Sequence, residues 1–187
     1  MKDLPRISVI IGTRPEAIKL APVIIEFKKC KEIETRVILT GQHKQMVNEI
    51  MKLFNIKADK NLDIMRTNQT LGEMTARIIN EIQIDFKENK PSMVIVQGDT
   101  TSAFTAGLTA FYEKIPVGHV EAGLRTNNLL EPFPEELNRR LISQLASLHF
   151  APTLKAKQNL VNSGVLGSIS ITGNTVIDAL TIINERL

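Results

Sequence analysis

Cysteine is almost missing from this sequence: Cys30 is the only one. No internal disulfide can form, and no Cys-x-x-Cys or Cys/His grouping suggests zinc, so a reducing compartment fits and no metal is expected. Tryptophan is absent, tyrosine occurs once and phenylalanine seven times, too few aromatic rings for a base-stacking platform. Basic residues exceed acidic ones only by 23 to 20. With no basic block, that excess excludes an electrostatic nucleic-acid footprint. No stretch approaches the ~18 consecutive apolar residues of a membrane span. The opening MKDLPRISVIIGTRPEA reaches Arg14 and Glu16 too soon for a signal peptide. A cytoplasmic protein with neither nucleic-acid nor membrane partners is expected.

What is present is a globular composition, 43% hydrophobic and 23% charged over 187 residues. That suits one domain, or one and a piece of a second. Short apolar runs alternate with longer amphipathic ones. Strands are predicted over residues 7–11, 35–40, 93–97, 116–120, 148–151 and 169–172. Helices are predicted over 16–29, 43–54, 70–88, 101–114, from about 134, 153–162 and 174–187. Thr70 and Glu73 have capping-box spacing, and Pro15 suits a first helical turn. Runs such as Met93 to Gln97 are apolar throughout, as strands buried on both faces are. Regular alternation of strand and helix predicts a parallel sheet between two helical layers, a three-layer Rossmann-like α/β domain.

In such sheets ligands bind beyond the carboxyl ends of the strands. Arg14, Gln42, His43, Asp99 and Glu121 each follow a predicted strand. The turn Gly12-Thr13-Arg14-Pro15 offers helix N-terminal N–H groups for a phosphate, with Arg14 and Lys19 beside it; an ordinary turn with a solvated arginine reads equally well. It is not the Gly-x-Gly-x-x-Gly of dinucleotide sites. Asp99 taken alone is best read as an N-cap. Glu121 has no such ready role, and partial burial raises a carboxyl toward the range useful for proton transfer. His119 reads as a core histidine. Glu135 and Glu136 suit a helix's positive end, where Arg139, one turn on, either pairs with Glu135 or faces a ligand.

Five blocks carry more information together: GTRPEAIKLAPVI (12–24), GQHKQM (41–46), QGDTTSAFTAGLTAFYEKIPVGHVEAGLRT (97–126), PFPEELNRR (132–140) and ITGNTVIDAL (171–180). In order and spacing the chain resembles the non-hydrolysing UDP-N-acetylglucosamine 2-epimerases along nearly its whole length. The resemblance implies one half of a GT-B-type two-domain fold, with the active site between domains. It implies interconversion of UDP-GlcNAc and UDP-ManNAc without metal or other cofactor, by UDP elimination to a 2-acetamidoglucal and re-addition, supplying ManNAc-derived surface polysaccharides. By motif, Asp99, Glu121 and Glu135 match the catalytic carboxylates, and Arg14, Lys19 and Arg139 match substrate contacts. Gln42, His43, Gln45 and Gln69 match positions that hold an activating second UDP-GlcNAc, although Asn68 replaces a basic residue found in some members. A homodimer is implied for the full-length protein.

Family members are about twice as long. The reading is therefore of an N-terminal domain over residues 1–172 and a crossover helix over 173–187, weakly active or inactive alone. Two alternatives stand beside it: a hydrolysing epimerase giving ManNAc and UDP, and a non-catalytic nucleotide-sugar-binding module.

Overall fold

The fold is that of a computed structural model, which describes residues 4–186. The strands are β1 (Arg6–Ile11), β2 (Glu34–Leu39), β3 (Lys60–Asn61), β4 (Met93–Gln97), β5 (Val117–Val120), β6 (Leu148–Ala151) and β7 (Ser168–Ile171). They form one sheet in the order β3-β2-β1-β4-β5-β6-β7, and every pair of neighbours is parallel. The helices are α1 (Arg14–Lys29), α2 (Lys44–Leu53), α3 (Leu71–Glu88), α4 (Thr101–Tyr112), α5 (Glu135–Leu145), α6 (Leu154–Asn162) and α7 (Val176–Asn184).

The apolar strand runs follow from burial on both faces. Along β1, Val9 and Ile11 enter the core beneath α1 and α2, while Ile10 enters the core beneath α3, α4 and α5. The period of two thus feeds both layers at once. Ile38, Ile78, Ile82, Val94 and Ile142 are fully buried on the second side, and Leu20, Ile24 and Val37 on the first. Each such side chain contributes about 1.5–3 kcal/mol relative to exposure.

The final helix is shorter than the predicted 174–187, and Leu187 lies outside the described residues. Helix α7 packs on α1, and Ala179, Ile182 and Ile183 join the core there. Strand β3 was not anticipated: its two exposed residues carry no alternation to read. The predicted last strand, 169–172, is shifted by one residue to Ser168–Ile171.

The strand order reverses direction between β1 and β4. Loops leaving these two strands therefore run to opposite sides, and a crevice opens above them. At this point the backbones come very close. A Cβ on Gly12 would stand 2.5 Å from Ser102 Oγ, so only glycine fits there.

Candidate functional site

A cavity of about 500 Å³ lies at this crevice, lined among others by Thr13, Glu16, Lys19, Asp99, Glu121 and Glu135. Its walls come from the loops after β1, β2, β4 and β5 and from the starts of α3 and α5.

The turn after β4 is gripped from several sides. The Gly98 N–H donates to the Val120 carbonyl at 3.0 Å, and His119 Nε2 donates to the Gly98 carbonyl at 2.7 Å. Asn138 Nδ2 donates to the Asp99 carbonyl at 2.9 Å. The Asp99 carboxylate pairs with Arg139 at 2.7 Å. Burial raises the Asp99 carboxyl above its ordinary value. Arg139 and Lys19 pull it down, Glu121 and Glu135 push it up, and burial wins. Burial also holds His119 down at about 4, so its ring is neutral at pH 7. These positions correct two readings. Thr100, not Asp99, is the N-cap of α4, its hydroxyl accepting from the Ala103 N–H, which frees the Asp99 carboxylate to face the cavity. Arg139 pairs with Asp99 and approaches Glu136 at 3.5 Å, with no ion pair to Glu135 among the described residues.

Glu121 stands in the left-handed region, at φ +62°, a costly conformation for a non-glycine residue that is characteristic of functional positions. One of its oxygens accepts from Lys19 Nζ and Gln97 Nε2, both at 2.6 Å. The other accepts from Asn174 Nδ2 at 3.1 Å. Three donors from β4, α1 and the β7–α7 connection thus hold one carboxylate.

The turn before α1 differs from expectation. Its Gly12 and Thr13 N–H groups donate to Glu16 Oε2 at 2.5 and 2.7 Å. They are satisfied within the chain and do not offer themselves to a phosphate. Glu16 is 1% exposed. Burial raises its carboxyl, against the lowering effect of hydrogen bonds from Thr100, Gly12 and Thr13. Arg14 is exposed at the head of the helix, outside the residues that line the cavity.

Gln42 and His43 line the cavity. The Gln42 carbonyl accepts from Ser102 Oγ at 2.7 Å, which turns its amide N–H groups the other way. Gln45 is exposed on α2. Gln69 accepts from the Arg66 N–H and from Arg77, at 3.1 and 3.0 Å. The structure therefore gathers Lys19, Asp99, Glu121, Glu135, Gln42 and His43 around one cavity, with Arg139 reaching Asp99. It leaves Arg14, Gln45 and Gln69 off that lining.

Glu16, Thr100, Gln97 and Asn174 were not singled out from sequence, and Glu136 was read only as an acid at a helix's positive end. Thr13 and Glu16 have the spacing already recognised in Thr70 and Glu73, so that one signal was available. Glu136 is fully buried and accepts from the Thr126 N–H at 3.0 Å and Arg140 Nε at 2.6 Å. It anchors the loop after β5 rather than merely complementing a helix end.

A doubly wound parallel sheet with a charged cavity at its switch point defines a ligand-binding Rossmann-like domain. A family model described as UDP-N-acetylglucosamine 2-epimerase matches residues 25–187, and the chain belongs to that family. It is 51% identical to the UDP-N-acetylglucosamine 2-epimerase of Neisseria meningitidis over 97% of its own length and 49% of the relative's. To the Bacillus subtilis enzyme of the same name it is 51% identical, over 96% of its length and 47% of the relative's. The crystal structure of the Neisseria meningitidis enzyme bound to UDP-GlcNAc superposes with a TM-score of 0.93, covering 97% of this chain and 50% of that one. A lipopolysaccharide outer core galactosyltransferase, 17% identical with a TM-score of 0.66, shares the fold over 45% of its length. The chain spans about half the length of the curated relatives it matches. Among the described residues, no helix is long and apolar enough to cross a membrane.

Proposed function

We propose that this chain forms one wall of the active site of a non-hydrolysing UDP-GlcNAc 2-epimerase, which interconverts UDP-GlcNAc and UDP-ManNAc. The observation that carries this reading is the meeting of Asp99, Glu121, Glu135 and Lys19 around one cavity at the switch point. Inverting C2 needs a proton to leave one face of the sugar and another to arrive on the opposite face. Loss of the C2 proton with expulsion of UDP gives a 2-acetamidoglucal. Return of UDP with protonation from the other side completes the exchange. Asp99, its carboxyl raised by burial, is suited to take part in proton transfer at C2. Glu135, at the first position of α5, and Glu121 supply further carboxylates. Lys19 and Arg139 bring the positive charge that a departing diphosphate requires, and Arg14 stands outside the cavity lining for the nucleotide side.

For an activating second UDP-GlcNAc, Gln42 and His43 offer polar groups on the cavity wall. Gln45 and Gln69 lie off it. A homodimer belongs to the same reading and is supported by the exposed Phe111, Leu137 and Leu141 on the outer helical layer.

The test is UDP-GlcNAc turnover in D₂O followed by NMR. The expected product is UDP-ManNAc carrying deuterium at C2. Turnover is expected to be slow for the chain alone and to increase when the second half of the Neisseria meningitidis relative is supplied. Free ManNAc instead assigns hydrolysis. Absence of C2 exchange in both arms removes the enzyme reading.

A further inference from the structure

We infer that Glu16 is a positioning residue: its buried carboxylate clasps the loop after β1 to the loop after β4, and through Thr100 it fixes where Asp99 stands in the cavity. The inference rests on the function proposed above for its catalytic meaning, but its geometry is independent of that reading.

Glu16 occupies the third helical position of α1, and through Oε2 it takes both N–H groups of the preceding turn. Its other oxygen, Oε1, accepts the hydroxyl of Thr100, 84 residues further along the chain. That hydroxyl in turn accepts the Ala103 N–H at 3.0 Å and caps α4. One carboxylate therefore satisfies donors from both loops that diverge at the switch point. Beneath it, Thr40 Oγ1 and Ser102 Oγ are hydrogen-bonded at 3.1 Å, and Ser102 abuts Gly12. The clasp leaves the backbone little freedom on the C-terminal side of Asp99. On its N-terminal side, His119 holds Gly98. The Asp99 carboxylate is then presented to Arg139 and Glu135 of α5, Glu121 after β5 and Lys19 of α1.

A helix cap that served only α1 would not need Thr100. The chain contains such a cap in Glu73, which is exposed and bonds only to its own Thr70. Glu16 differs in being buried and in reaching another loop.

The test reads the Asp99 carboxyl by ¹³C NMR titration in the 187-residue chain, together with the exchange rate of the Ala103 amide. Thr100→Val removes the hydroxyl and keeps the volume. The expected result is that Asp99 titrates closer to its ordinary value of 3.8, as the turn opens to water, and that Ala103 exchanges about tenfold faster. Thr100→Ser keeps a hydroxyl and is expected to restore both. Glu16→Gln is expected to leave both near wild type, because the amide oxygen can accept from the turn while its NH₂ donates to Thr100. Glu73→Ala is the control and should move neither. An unchanged Asp99 titration in a folded Thr100→Val chain overturns the inference, as does failure of Thr100→Ser to restore it. If Thr100→Val does not fold, Glu16→Ala takes its place: losing the acceptor of the Thr100 hydroxyl is expected to move Asp99 toward its ordinary value, and an unchanged Asp99 titration in a folded Glu16→Ala chain overturns the inference. No sugar nucleotide enters these measurements, so failure of the epimerase reading leaves them intact, and the reverse holds equally.

Discussion

The same capping-box spacing occurs twice in this chain with different consequences. At α3, Thr70 caps and Glu73 returns to the Thr70 N–H and hydroxyl, all on the exposed surface. At α1, Glu16 performs the local bonding of the third position but is buried and also accepts from Thr100. Local sequence fixes the helix start in both cases. Only the switch-point topology, which brings the loop after β4 over the start of α1, turns one cap into a long-range contact. The difference shows that a motif's spacing predicts its local geometry, while its energetic weight depends on what the fold packs around it.

The strongest way to break the comparison is to truncate both glutamates. Glu16→Ala leaves two buried backbone N–H groups, and the proton of the part-buried Thr100 hydroxyl, without an acceptor within the chain, each costing up to about 1–3 kcal/mol. Relief of the buried charge offsets part of this. A net loss of about 4 kcal/mol is expected in urea denaturation, against almost no change for Glu73→Ala. Equal effects from the two substitutions would mean that Glu16 is only a surface-type cap.

Next in size is the grip on the other side of the Asp99 turn. His119 is held at about 4 by burial, well below its ordinary 6.5. As pH falls from 6.5 toward 4, the unfolded chain takes up a proton that the folded chain refuses. Stability contributed by the neutral ring is therefore lost in this window, by up to roughly 3 kcal/mol at 1.36 kcal/mol per unit. His119→Gln retains a donor for the Gly98 carbonyl and removes the titration. Its stability should fall less than that of wild type between pH 6.5 and 4. Parallel curves for the two proteins would contradict the buried, neutral histidine.

A smaller loss tests the surface box itself. Thr70→Ala removes an N-cap acceptor and should cost about 1 kcal/mol. The loss should show as faster exchange confined to the first turn of α3, with the Asp99 titration unmoved.

These contrasts also mark what could be read from sequence. The parallel sheet was legible because two-sided burial leaves an unmistakable record, continuous apolar strands such as Val94 to Val96 between amphipathic helices. Asp99 and Glu121 were legible as site candidates because each ends a strand. The partners that give them meaning were not. Arg139 with Asp99, Asn174 with Glu121, and Thr100 with Glu16 join residues 40, 53 and 84 positions apart, and no local periodicity encodes such meetings. Glu135 and Glu136 are adjacent acids in one helical turn. The 100° step between neighbours sends Glu135 to the cavity and Glu136 into the interior, a distinction that needs the position of the rest of the chain.

The smallest expected effect on stability concerns Asp99 itself and separates the clasp from the carboxylate it serves. Its folded-state carboxyl is raised above 3.8, with burial as the main cause. Below 3.8 both folded and unfolded chains carry the proton. Between 3.8 and the raised folded value, the unfolded chain has lost the proton and the folded chain still holds it. Stability therefore declines as pH rises through that window and levels off above it. Asp99→Asn abolishes this decline and should gain on wild type with rising pH, measured as urea midpoints from pH 3 upward. Because Asn cannot transfer the proton, the same variant should lose C2 exchange in the proposed reaction. A variant that is stabilised above the window yet inactive would identify Asp99 as a carboxylate held for chemistry against its own folding preference. A variant destabilised there would assign it to the ion pair with Arg139, a structural role like that of Asp85, which is buried and takes both terminal guanidinium nitrogens of Arg36.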